Sequence, residues 1–222
     1  VTFSLTPRRA APMFLIAMFA QAGAAQAATS ESQAWITEQF AFKADKATTI
    51  TLDASQRARS DRTSGGEQFL QRISIDRRIA TGVEIGGGFA YLKAESEKEL
   101  RFHQQLTLTH GLFSSRTRLE QRFFDNADEA SWRLRERIAI TVPLDHARRT
   151  SLIATNELFF HLNRARPSDK TGLAMMRQQI GLRQRLSPQI DAQLLYMRQQ
   201  TFRDHRPDAV AHIPWATLSF RL

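Results

Sequence analysis

The sequence predicts an all-β chain: a transmembrane, antiparallel, up-and-down β-barrel of about 10–12 strands, following a cleaved N-terminal signal peptide. Three observations predict it. Side chains alternate in character with a period of two along most of the chain, as they do when successive residues of a strand face opposite ways. In the most regular stretch, Arg133, Arg135, Arg137 and Thr141 share one face, while Trp132, Leu134, Ile138, Ile140 and Val142 share the other. Arginines spaced two apart cannot face a dry core, but lipid on one side and a wet, charged interior on the other accommodate both faces. The connectors, finally, alternate between tight turns and longer polar loops, the layout of a barrel with turns at one membrane surface and loops at the other.

Composition is compatible with this class and excludes several others. The 222 residues carry a formal charge of +9, are 42% hydrophobic and contain no cysteine. That excludes a disulfide framework, a thiolate metal centre and a lipid-modified cysteine anchor. The modest glycine and proline content argues against disorder. A mean hydropathy of −0.38 is incompatible with a helical membrane protein of several spans. It is ordinary for a barrel, in which only alternate residues meet lipid.

Taken in order, residues 1–27 read as the export signal. Arg8 and Arg9 form its positive end, Ala10–Ala25 its apolar stretch, and Ala25-Gln26-Ala27 its cleavage site. Gln21 and Gly23 cut the apolar run below the about 20 residues a helical span needs. The mature domain, 28–222, is expected in the outer membrane of a Gram-negative bacterium after Sec export. It divides into about eleven extended segments: 34–42, 48–57, 68–78, 82–92, 99–109, 112–123, 132–143, 150–162, 173–186, 189–200 and 209–222. Bacterial barrels of one chain have an even number of strands. Either Trp35–Phe42 is therefore a plug or an irregular lead-in, leaving ten strands, or one long segment hides two, giving twelve. Twelve is favoured.

The faces continue the pattern. Val83, Ile85, Phe89 and Tyr91 oppose Glu84, Gly86 and Gly88, and Leu100, Phe102, Leu106 and Leu108 oppose Arg101, His103 and Gln105. Glu136 and Asn156 fall on apolar faces, where a bulge or a position near the rim is the expected explanation. The final HIPWATLSFRL sets Leu218, Phe220 and Leu222 on one face. It resembles the terminal strand read by the barrel-insertion machinery, with leucine where phenylalanine is usual.

RLEQRFF (118–124), RLRERIAI (133–140), TNELFFHL (155–162) and IGLRQRLSPQIDAQLLYMRQQ (180–200) resemble the uncharacterised proteobacterial outer-membrane family known as domain of unknown function 2490. The resemblance covers nearly the whole mature chain and implies an outer-membrane barrel. It implies no activity.

The functional reading rests on the charged face. The expected lumen ladder is Arg101, Arg116, Arg118, Glu120, Arg122, Arg133, Arg135, Arg137, Glu157, His161, Arg177, Arg183 and Arg185, with Glu84 and Asp191 as further acids. Guanidinium groups stay charged and present a planar fork to carboxylates. One reading is a small channel attracting anionic solutes, as charged rings do in other pores. The other is a closed structural barrel, in which Glu120 and Glu157 interleave with arginines as a salt-bridged filling that leaves little space. Excess positive charge favours the first. Arg164, Arg166, Lys170, Arg203 and Arg206 fall in outer loops, where lipopolysaccharide phosphates would meet them.

An outer-membrane lipid hydrolase or acyltransferase is the third reading. It lacks a constellation, because Ser114 and Ser115 lie at the opposite end of the barrel from His161. No catalytic residue, metal site or cofactor is assigned, since no two histidines stand at ligand spacing. Nucleic acid is not an expected partner: the arginines are spread over many strands rather than clustered.

Overall fold

A computed structural model describes residues 29–59, 66–166, 169–204 and 207–222. The expected signal peptide at 1–27 lies outside these residues, as does Arg206. Eleven strands form: β1 (Thr29–Lys43), β2 (Thr48–Arg59), β3 (Gln68–Ala80), β4 (Val83–Ala94), β5 (Lys98–His110), β6 (Phe113–Phe124), β7 (Ser131–Pro143), β8 (Thr150–His161), β9 (Gly172–Arg185), β10 (Ile190–Thr201) and β11 (Ala209–Arg221). Each of the eleven segments read from the alternation becomes one strand. Consecutive strands pair antiparallel, and β1 closes the barrel against β11.

The count overturns both even-number alternatives. Trp35–Phe42 is neither plug nor lead-in; it lies within β1, a full wall strand paired on both sides. No segment hides two strands. With an odd number of up-and-down strands, the first and last run in the same direction, so the closing pair must be parallel. That pair runs from Thr29↔Ala209 to Ala41↔Arg221. Among the described residues no strand edge is left open, which satisfies the physical need behind closure at any parity.

Short connectors, including 81–82 and 111–112, gather at one end, called here the turn end. Gly82 (φ 71°) and Gly111 (φ 59°) supply the left-handed backbone that these two-residue turns require. The longer connectors 125–130, 162–171 and 202–208 gather at the loop end.

The outer wall is largely apolar, with exposed large hydrophobics on β1–β7, β9 and β10. Ile36 (63% exposed), Leu52, Ile73, Ile85, Phe102 (44%), Phe123, Ile138, Leu182 and Leu194 (65%) all face out. Glu38, Gln71, Gln104 and Arg198 also stand on this outward face; for Glu136 and Asn156, neither suggested explanation applies. The register shifts lie elsewhere, at Arg78/Ala80 and Phe159/Phe160, and both residues sit in mid-strand. Glu136 accepts a hydrogen bond from the Thr117 hydroxyl at 2.9 Å. Asn156 stands in register with Gln178, and its buried Oδ1 has no hydrogen-bond partner.

Inside, the barrel is ionic only in part. Trp35, Met197, Ala211 and Ile213 form a buried apolar cluster with Trp215 packed against it, where β10, β11 and β1 meet. A second buried cluster, Leu70, Leu92 and Ala94, lies on β3 and β4, and Phe159 is buried among the β5–β8 charges, so the ionic interior expected from the arginine alternation is concentrated on β5–β8 and interrupted elsewhere.

Candidate functional site

The inward face of β5–β8 carries three groups of charges. Glu99, 1% exposed, receives two guanidinium forks: Arg101 at 2.5 and 2.6 Å, and Arg122 at 2.5 and 3.1 Å. Glu120 receives Arg133 Nε at 2.7 Å and Arg135 Nη1 at 2.6 Å, with Arg118 Nη1 at 3.7 Å. Glu157 receives Arg135 Nη2 at 2.7 Å and Arg116 Nη2 at 2.9 Å. Arg135 thus bridges Glu120 to Glu157, so the last two groups form one chain of alternating charge. A buried carboxylate is tolerable only when most of its lone pairs are engaged, and these are.

The network extends towards the turn end through neutral groups. Arg118 donates twice to Gln105 Oε1, at 2.9 and 2.6 Å, and Gln105 donates to Asp76 Oδ1 at 2.5 Å. Glycine on β4 makes room for this layer. A Cβ at Gly88 would lie 2.2 Å from the Ile73 carbonyl oxygen and 2.7 Å from His103 Cε1, and one at Gly86 would lie 2.0 Å from Asp76 Oδ1.

Above this layer a cavity of about 420 Å³ extends from the loop rim at Glu97 and Arg59 down to Gln39, Gln193 and Thr217. Among the described residues, ten arginines and four carboxylates line it. Arg57, Arg137 and Arg177 line it without an ion pair among the described residues, whereas Arg72 forks onto Asp53 at 3.0 and 2.8 Å.

The expected ladder therefore splits by position. Arg101, Arg116, Arg122, Arg133, Arg135, Arg137, Glu157 and Arg177 line the cavity. Arg118 and Glu120 are buried beside it. His161 stands at the loop end, where its Nδ1 meets the Lys170 carbonyl oxygen at 3.2 Å. Arg183 and Arg185 belong to the turn end of β9, outside the cavity lining, and Arg185 lies 3.8 Å from Asp191.

Six charged cavity-lining residues are missing from the ladder read from the sequence: Asp53, Arg57, Arg59, Arg72, Glu97 and Glu99. For some the signal is present, since Asp53 lies between Leu52 and Ala54, and Glu99 precedes Arg101 by two. Trp35 carries no such signal, because an aromatic on an inward face looks like one on an outward face.

Loop cations are partly engaged. Arg166 pairs with Glu97 at 2.5 Å and lies over the Phe124 ring at 4.3 Å, and Lys170 pairs with Asp204 at 2.6 Å. Ser114 and Ser115 lie near the turn end of β6, far from His161 at the loop end of β8.

Fold and interior together define a closed β-barrel with an arginine-lined cavity. The profile of the family described as protein of unknown function (DUF2490) matches residues 32–210. The chain belongs to that family. No curated protein matches it.

Proposed function

We propose that this chain is an outer-membrane β-barrel of a Gram-negative bacterium, exported through Sec, whose arginine-rich interior serves small anionic solutes. The observation that carries the reading is the imbalance of the cavity lining, ten arginines against four carboxylates. A filling that existed only to pack the lumen could balance its charges. Arg57, Arg137 and Arg177 make no ion pair among the described residues, although Glu157 faces the last two in register, and cationic linings attract anions by the same field that repels cations.

Lipid embedding is supported by the many large apolar side chains exposed on the outer wall, among them Ile36, Phe102, Ile138 and Leu194. In this reading Leu218, Phe220 and Leu222 form the signal taken up by the barrel-insertion machinery. Among the described residues, the inward groups of the turn end, including Asp76, Arg183 and Asp191, do not line the cavity. A crossing solute would have to pass these charged groups beyond the cavity, and a small conductance is expected.

The test is a planar-bilayer recording of the purified protein under a potassium chloride gradient. An anion-selective reversal potential, moved towards zero selectivity by Arg137→Gln, is the expected result. Silence from protein with folded, heat-modifiable mobility would sink the channel. A second reading, a closed structural barrel that binds lipopolysaccharide, is favoured by the Glu120–Arg135–Glu157 chain, which ties β6, β7 and β8 together inside the lumen. Arg164 and Arg203 at the loop end would then meet lipid phosphates. A lipid hydrolase or acyltransferase is the weakest of the three, because the serines of β6 and His161 stand at opposite ends.

A further inference from the structure

Two guanidiniums in the cavity lie beside the Trp35 ring, and one of them, Arg177, lies closer still to Phe159, at 4.8 Å. Arg57 Cζ lies 4.0 Å and Arg177 Cζ 5.1 Å from the centre of Trp35. Neither makes an ion pair among the described residues. Arg177 Nε is taken by Gln199 Oε1 at 2.8 Å, and Arg57 Nη1 reaches Gln68 Oε1 only at 3.5 Å. The buried Nε of Arg57 has no hydrogen-bond partner. The ring's negative face offsets some of the charge. Two cations beside one ring, away from bulk water, still repel each other, and a shared anion would relieve that repulsion.

The wall formed by β10, β11 and β1 is chemically different. Gln193 and Thr217 face each other in register and line the same cavity, as does Gln39. Gln39 Oε1 accepts from Ser219 at 3.2 Å, leaving its amide N–H groups available, and the Gln193 side chain makes no hydrogen bond among the described residues. These groups both donate and accept. Trp215, on this same wall, stands edge-on to Trp35 at 5.4 Å and lines the cavity. A bare inorganic anion would use the arginines and leave the neutral wall and the indole idle. A ring that carries a carboxylate at one end, hydroxyls along its rim and C–H groups on its face would use all three. A cavity of about 420 Å³ falls within the range of small-molecule sites.

We propose that the cavity is a binding site for a carboxylated sugar, with Arg57 and Arg177 holding the carboxylate and Gln39, Gln193 and Thr217 holding the hydroxyls. This rests on the anionic-solute reading and narrows it to a substrate class. Arg177 is turned towards the site by Gln199, and Trp35 keeps the two forks close. The carboxylate binds through paired N–H donors, a geometry that guanidinium supplies and ammonium does not.

The test titrates the full barrel, in detergent micelles, with digalacturonate, cellobiose and inorganic phosphate, following tryptophan emission and the thermal midpoint. Digalacturonate should give a saturable emission change and a rise in midpoint at concentrations where the other two give neither. Arg177→Gln should weaken its binding about tenfold or more, and Gln193→Ala about fivefold. Heat-modifiable mobility on gels reports folding of each variant, and Gln193→Ala carries the test if Arg177→Gln does not fold. Phosphate binding as tightly as digalacturonate would overturn the sugar assignment and leave the anionic reading standing. Cellobiose binding equally well would overturn the role of the arginines. No response to any ligand, from protein that passes anion current, overturns the site alone; without current, both readings fall.

Discussion

Glu120 is the residue on which the charge network of β6 and β7 depends. It is 2% exposed and holds Arg133 and Arg135, with Arg118 close by. Replacing it by glutamine keeps the volume and removes the charge, leaving buried cations short of a partner. A loss of about 3–5 kcal/mol is expected, measured by urea unfolding in detergent. A change below about 0.5 kcal/mol would mean that water reaches these arginines and that the network is not a dry filling. At this scale the sequence was informative about direction and silent about partnership. Alternation gave the inward side of Glu120, Arg133 and Arg135. It could not say that Arg135 reaches two carboxylates on two different strands, because that depends on rotamers and register that no single strand encodes.

Among the elements, the β1–β11 seam is the one the alternation could not foresee. Parallel pairing is slightly weaker per residue than antiparallel pairing, and this pair is reinforced on both faces. Inside, Trp35 meets Trp215 at 5.4 Å, and Trp215 Nε1 donates to Thr37 Oγ1 at 2.9 Å. Outside, Phe40 stacks on Phe220 at 4.9 Å. Both ring pairs are register partners, so they fix the stagger of the closing strands as well as binding them. Phe220→Ala removes the outer pair without touching the cavity. It should cost about 1–3 kcal/mol and raise amide exchange in β1 and β11 ahead of β5–β8. Uniform loss of protection around the barrel would show that the seam is no weaker than its neighbours. The same substitution also tests Phe220 as an insertion signal, since slowed assembly of a variant that is stable once folded separates the two roles.

The whole molecule is apolar outside and, over most of its lumen, charged inside, the reverse of a water-soluble globule. Phe102, flanked by Phe89 at 5.5 Å and Phe123 at 6.0 Å, faces out from the middle of β5. In a bilayer, Phe102→Arg should cost about 2–4 kcal/mol and lower the heat-modifiable fraction in membranes. In water the same change would be close to neutral. An unchanged folded fraction in lipid, or recovery of the wild-type protein from the soluble fraction without detergent, would remove the membrane reading and the transport reading with it.

By itself the sequence determined the strands and their faces: eleven alternating runs became eleven strands, because a period of two is a local property of an extended chain. Parity was misjudged because an even count is a regularity among bacterial barrels, not a requirement of hydrogen bonding. Only the tertiary structure decided that β1 and β11 close in parallel, that Arg57, Arg137 and Arg177 line the cavity without an ion pair among the described residues while Arg101 and Arg122 share Glu99, and that apolar clusters interrupt the lumen. Those outcomes depend on which residues meet across the barrel, and side chains so far apart along the chain are brought together by closure and register alone.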